Sequence, residues 1–231
     1  MLVLAVDTAT PAVTAGVVDL APDSPPRLLA KRVTLNAKAH GELLTPHISD
    51  ALEEAGKTFA DLDAIVVGAG PGPFTGLRVG LATAAALGQA LNRPVYPVAT
   101  TDAIAKDASS GHPLLVATDA RRKEVYWAAY DAAGRRTDGP HVERPQELAE
   151  KLPSLGVHQA TGEGAEIYAD VLGLELLQAK HPSPEGLVAA AAAEVLAKAR
   201  PAALTPLYLR RPDAHDTGLG APGATASGRR R

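Results

Sequence analysis

Leu114-Leu115-Val116-Ala117-Thr118-Asp119 repeats in form the stretch Leu4-Ala5-Val6-Asp7 near the start of the chain: an apolar run of strand length that ends in an aspartate. The surroundings of the first copy define a pattern. Residues 2–6, 14–18 and 28–35 read as three short β segments, joined by Thr10-Pro11 and by the loop Ala21-Pro22-Asp23-Ser24-Pro25-Pro26. In 40–55, Leu44, Ile48 and Leu52 recur every four positions and Gly56 supplies a stop, which predicts a helix despite Pro46. A buried strand over 64–69, a helix over 75–91 and a strand over 95–99 complete the order β-β-β-α-β-α-β. Behind the second copy, 124–130 reads as the returning hairpin strand, 145–152 as helix, 158–162 as extended, 165–172 as helix and 174–179 as extended. Residues 185–200 form an alanine-rich segment of high helix propensity.

The expected fold is therefore α/β, built from two β-β-β-α-β-α-β halves of which the second is abbreviated. The halves divide at 1–105 and 106–212, with the last segment of the second free to return to the first. From 213 to 231 the chain turns to a segment rich in Gly and Ala, ending in Arg229-Arg230-Arg231 and too poor in large apolar residues to fold, so a disordered tail is expected.

Duplicated halves of this kind, facing one another across a cleft, resemble the sugar-kinase, heat-shock ATPase and actin superfamily (the actin-like ATPase, ASKHA or ribonuclease H-like fold). The resemblance implies that the first hairpin of each half supplies an aspartate and a turn to nucleotide phosphates and a metal; Asp7 and Asp119 stand at those two places. Two readings of the pair are open. They are paired acids that hold a hydrated magnesium ion or activate water, or they accept backbone hydrogen bonds in Asx turns. The phosphate-gripping glycine expected after the first strand is absent from Asp7-Thr8-Ala9-Thr10.

Between the strand at 64–69 and the next helix lies Gly70-Pro71-Gly72-Pro73-Phe74-Thr75-Gly76. A glycine-rich turn before a helix can cradle a phosphate with its free N–H groups. A P-loop, however, needs Lys and then Ser or Thr after its last glycine, and here Leu77 and Arg78 follow. The helix beyond it carries no charge from Val79 to Leu91, and its apolar residues, among them Leu77, Leu81, Ala84, Ala85 and Leu87, run most of the way round. A helix of that kind is expected to be covered on both sides.

Composition narrows the functions further. A formal net charge of −3 argues against a protein that grips nucleic acid alone, and 3% aromatic residues leave few platforms for unpaired bases. There is no cysteine, which excludes disulfides and thiolate metal sites and agrees with a cytoplasmic location. The apolar start lacks a basic flank, and the uncharged run at 79–91 is shorter than a bilayer span, so neither a secretion signal nor a membrane segment is expected. His40 and His47 are two helical turns apart, too far for one zinc ion, and the other five histidines are scattered. Thr75, Thr100, Thr101 and Ser183 lie in no nucleophile elbow. Arg121, Arg122 and Lys123, just after Asp119, suit either a phosphate or a solvated turn.

Taken together, Leu4-Ala5-Val6-Asp7-Thr8-Ala9-Thr10, the block from Gly68 through Gly70-Pro71-Gly72-Pro73-Phe74-Thr75-Gly76-Leu77-Arg78 to Gly80, Asp119-Ala120-Arg121 with Glu124-Val125-Tyr126, and Pro206-Leu207-Tyr208-Leu209-Arg210 resemble the TsaB (YeaZ) family. That resemblance implies a non-catalytic paralogue of TsaD, required for threonylcarbamoyladenosine modification of tRNA at the adenosine next to the anticodon. It further implies a heterodimer with TsaD, TsaE in a larger complex, tRNA contact only through that complex, and no cofactor of its own beyond ATP or ADP at the boundary with TsaD. TsaD carries a metal-binding H-x-E-G-H stretch; its two histidine positions fall on Thr100 and Ile104 here, neither of which can ligate a metal as imidazole does. Helix packing in the family places the partner against the two N-terminal-domain helices, with Leu43, His47, Leu77, Leu81, Ala84, Ala85 and Gly88 as the expected contact residues. Two copies pairing through the same patch would replace TsaD in its absence. Asp7, Thr8 and Asp119 are then a vestigial nucleotide site. The competing readings are an active nucleotide hydrolase using Asp7 and Asp119 and a metallopeptidase of glycoprotease type.

Overall fold

A computed structural model describes residues 1–210; the tail expected at 213–231 lies outside them. β1 (Leu2–Asp7), β2 (Ala12–Asp19) and β3 (Arg27–Leu35) form an antiparallel meander, and α1 (His40–Glu54) leads to β4 (Ala64–Gly68). α2 (Phe74–Leu91) then connects to β5 (Val95–Val98). The strands lie in the order β3-β2-β1-β4-β5, with β4 parallel to both β1 and β5. A central strand covered on both faces needs an unbroken apolar run, and Ala64-Ile65-Val66-Val67-Gly68 is buried throughout.

The period of two along β1 sorts its side chains between two layers. Leu4 and Val6 point to a core shared with Leu44, Ile48, Leu52, Leu81 and Ala84 of α1 and α2. Val3 and Ala5 point to the opposite face, where Leu187, Val188, Ala191 and Val195 cover them. Those four belong to α7 (Pro184–Leu196), so the last helix packs on the first sheet. Ser183 caps it, accepting from the Gly186 N–H at 2.9 Å while donating to Asp107 at 2.5 Å.

The second sheet has the order β10-β9-β6-β7-β8, from β6 (Leu114–Asp119), β7 (Val125–Tyr130), β8 (Arg136–Glu143), β9 (Gln159–Thr161) and β10 (Glu175–Leu176). α4 (Pro145–Leu155) and the short α5 (Glu163–Ile167) and α6 (Ala169–Leu172) contribute Leu148, Leu152, Ala165 and Leu172 to a core around Trp127. The expected two-half α/β architecture with an abbreviated second half is thus the observed one.

Two elements were not expected. β8 contains Asp138, Gly139 and Pro140, which are poor strand residues, yet an edge strand tolerates a missing donor, and its register against β7 shifts there. α3 (Thr100–Asp107) is short and opens on two threonines, so nothing in its period announces it; Ala103, Ile104 and Ala105 are buried between the halves' cores. No helix among the described residues is long and apolar enough to cross a membrane.

Candidate functional site

The glycine turn is packed against the turn that follows the first strand. A side chain at Gly72 would run into the Ala9 carbonyl and one at Gly76 into the Thr8 carbonyl, while a Cβ on Gly80 would sit 2.6 Å from Thr8 Oγ1. Close backbone approach therefore accounts for these three glycines. Thr8 makes the contact specific. Its hydroxyl donates to the Gly76 carbonyl at 2.7 Å and accepts from the Gly80 N–H at 2.9 Å. It stands between the two groups that a regular helical turn would pair, so the turn after β1 is spliced into the first part of α2.

Asp7 is fully buried. Thr100 Oγ1 donates to its Oδ2 at 2.6 Å and the Ala9 N–H to its Oδ1 at 2.9 Å, while the Gly70 N–H donates to Thr100 Oγ1 at 3.2 Å. Desolvation pushes the carboxyl up to about 6 against these hydrogen bonds, which act to lower it. Asp119 borders the open space between the halves and accepts from the Arg121 N–H at 3.1 Å. Both aspartates thus make the Asx-turn contact, and of the two only Asp119 lines the cleft. Thr100 and Ile104 are both buried, Thr100 committed to Asp7 and Ile104 to a core with Leu114, Val116 and Tyr130. Among the described residues no group of three His, Cys, Asp or Glu side chains could hold a metal.

The cleft itself measures about 820 Å³. His40 and the 72–76 turn line it from the first half, Asp119, Arg121 and Tyr126 from the second, and Tyr208 and Arg210 from the end of the described chain. His40 is held by the Thr10 carbonyl at 2.9 Å. The strap carrying Tyr208 begins after α7 and runs back across the molecule. Leu204 packs on the first core, and the Leu207 N–H donates to the Ala69 carbonyl at 2.8 Å. Tyr208 stacks on Phe74 with centroids 5.1 Å apart, and Arg210 donates to the Ala120 carbonyl at 2.9 Å and pairs with Glu124.

Most of the residues expected at the partner face are packed within their own chain. Leu77, Ala84 and Gly88 are buried by their own chain: Leu77 is fully inaccessible, Ala84 belongs to the first core, and Gly88 packs on Val95 of β5. Leu81 is also a core residue, with one edge in a shallow groove. His47 is buried and hydrogen-bonded to Thr34 Oγ1 of β3 at 2.9 Å, its pKa lowered by desolvation. Leu43 and Ala85 are half-buried, Leu43 packing on the first core. The reason is geometric. A helix docked on a sheet and flanked by a second helix buries more than half its circumference, so a wide apolar stripe is consumed internally. What α2 leaves exposed is Phe74, Thr75, Arg78, Ala82, Ala86, Gln89 and Ala90. The sequence signal was available in the small side chains at 82, 85, 86 and 90, which lie on one face at helical spacing.

Sheet order, paired hairpins and an interdomain cleft define a two-domain α/β protein of actin-like, ribonuclease H-like build, whose first-half acid is sealed off. The family described as "TsaD: tRNA N6-adenosine threonylcarbamoyltransferase" matches residues 34–214. A protein of Mycobacterium tuberculosis (strain ATCC 25618 / H37Rv), "Uncharacterized protein Rv3421c", is 51% identical, over 92% of this chain and 93% of its own. The "tRNA threonylcarbamoyladenosine biosynthesis protein TsaB" of Escherichia coli (strain K12) is 30% identical, over 74% of this chain and 75% of its own. The solved structure "YeaZ from Pseudomonas aeruginosa" superposes with a TM-score of 0.73 at 28% identity, covering 90% of this chain and 99% of that one. The chain belongs to the TsaB (YeaZ) branch of the TsaD family.

Proposed function

We propose that this protein is a non-catalytic subunit of the cytoplasmic machinery that makes threonylcarbamoyladenosine in tRNA, and that it acts by docking TsaD, with TsaE joining a larger complex. The name borne by the TsaB relative of Escherichia coli supports the pathway. The observation that carries the docking role is the outer face of α2, where Ala82, Ala86 and Ala90 lie bare beside Phe74 on a helix that bears no charge beyond Arg78. Small side chains allow a second helix to approach closely, and an apolar face of this kind is stabilised by being covered. TsaD covers it in the complex; a second copy of this chain covers it when TsaD is lacking. ATP or ADP, where it takes part, sits at the boundary with TsaD, and tRNA is met through the complex.

Gel filtration with light scattering tests this. The protein mixed with TsaD is expected to elute as a complex, and Ala82→Arg or Ala86→Glu to abolish that complex while leaving the circular dichroism spectrum intact. Complex formation at full strength by both variants would place the interface elsewhere.

The cleft supplies one observation in favour of a second reading, an active nucleotide hydrolase, because Asp119 and Arg121 do face open space there. Magnesium-dependent ATP turnover by the purified chain, lost in Asp119→Asn, would establish it. The burial of Asp7 weighs against it. A metallopeptidase would need ligands that Thr100 and Ile104 do not provide.

A further inference from the structure

Tyr208 belongs to two places at once. It lines the interdomain cleft, and it also walls the shallow groove formed with Arg78, Leu81, Ala82 and Ala85 on the outside of α2. On the first half it is held by a cluster of three mutually contacting side chains: the Arg78 guanidinium lies over the Phe74 ring at 3.8 Å, Phe74 stacks on Tyr208 at an interplanar angle of 24°, and Arg78 Nε donates to the Tyr208 hydroxyl at 3.0 Å. Two residues on, Arg210 fastens the same strap to the second half through the Ala120 carbonyl and Glu124. Residues 120–124 are the β6–β7 turn that carries Arg121 into the cleft, and the Glu124 N–H closes that turn on the Arg121 carbonyl at 3.0 Å.

We propose that residues 204–210 form a latch through which cover over the outer face of α2 tightens the cleft. The proposal rests on that face being the docking surface argued above. The physical basis is the exposure of the stack, Phe74 being 38% and Tyr208 40% accessible. A cation held over an aromatic ring is bound more strongly once water is removed from the pair. A partner lying along Ala82 and Ala85 removes water from Arg78 and Tyr208, firms their contact with Phe74, and thereby holds Arg210 on the second half. Coupling of this kind is reciprocal, so a ligand that closes the cleft also favours the partner.

Amide hydrogen exchange tests both links. In the isolated full-length chain, Arg78→Ala is expected to accelerate exchange at Leu207 and also at Ala120 and Glu124 in the other half, by about tenfold, the loss of one ring–cation contact read as local opening. Arg210→Ala is expected to do the same at Leu207 from the opposite end. If Arg78→Ala changes only α2 and Arg210→Ala only the turn, the latch is refuted. On addition of purified TsaD to the wild type, exchange at Leu207, Ala120 and Glu124 should slow, and Tyr208→Ala should still bind TsaD but show no slowing at the turn. Binding without slowing in the wild type overturns the coupling and leaves the docking surface standing. No binding by the wild type sinks the docking surface, and with it the partner's part in the latch, whatever the first two variants show.

Discussion

The Thr100 hydroxyl donates to Asp7 Oδ2 at 2.6 Å, and neither side chain reaches solvent. Thr100 thus serves the buried acid of the chain's own first strand. The pairing has a measurable signature. Burial raises Asp7 from 3.8 to about 6 in the folded protein. A carboxyl raised on folding gives up its proton sooner in the unfolded chain, so stability falls as pH rises from 3.8 towards about 6 and is level above it. A rise from 3.8 to about 6 corresponds to on the order of 3 kcal/mol. Asp7→Asn has no such proton to lose. Urea denaturation from pH 4 to pH 7 should therefore show the wild type gaining on the variant under acid, by on the order of 2–3 kcal/mol across the window. A constant difference would mean that Asp7 stays ionised in the fold.

Leu77 and Ala86 are on the same helix and have opposite fates. Leu77 is fully buried, so Leu77→Ala is expected to cost about 2–5 kcal/mol, whereas exposed Ala86→Glu stays within about 0.5 kcal/mol. Thermal unfolding of the two variants checks this. Equal melting temperatures would contradict the assigned faces. It follows that a charge placed at Leu77 reports on folding, and only the outer positions report on docking.

The splice between Thr8 and α2 predicts non-additivity. Gly80→Ala improves helix propensity by about 1 kcal/mol yet forces a Cβ towards Thr8 Oγ1, and the clash is expected to win by about 1–3 kcal/mol. Thr8→Ala alone frees the Gly76 carbonyl and the Gly80 N–H of their shared partner. In the double variant the helical turn can close on itself and the added methyl has room, so a double-mutant cycle should give a favourable coupling of about 0.5–3 kcal/mol. Strict additivity would show that the hydroxyl and the glycine act independently.

Asp107, at the end of α3, and Ser183 tie the start of the last helix to α3. Ser183→Ala removes an N-cap and should cost about 1 kcal/mol. Asp107→Ala removes the carboxylate that accepts from both the Ser183 N–H and its hydroxyl, two hydrogen bonds to a charged group, and is expected to cost more, about 1–3 kcal/mol. Chemical denaturation ranks the two. The reverse order would mean that the cap, not its anchor, holds α7 in place.

Much of this protein was determined along the chain itself. The apolar run ending in Asp7 and its echo ending in Asp119, the four-residue period of Leu44, Ile48 and Leu52, and the glycine turn before α2 are local patterns, and they sufficed for two α/β halves because strand and helix periods are set by neighbouring residues. Tertiary packing alone decided the rest. Whether a carboxylate at a strand end meets solvent or Thr100 depends on a residue 93 positions away. Which side of an all-round apolar helix is left bare depends on the sheet and on α1, which compete for its circumference. The strap that brings Tyr208 to Phe74 and Arg210 to Ala120 follows no periodicity at all. Its place is fixed by contacts that exist only once both halves have folded, because a segment that belongs to no helix or sheet takes its course from the surfaces it crosses.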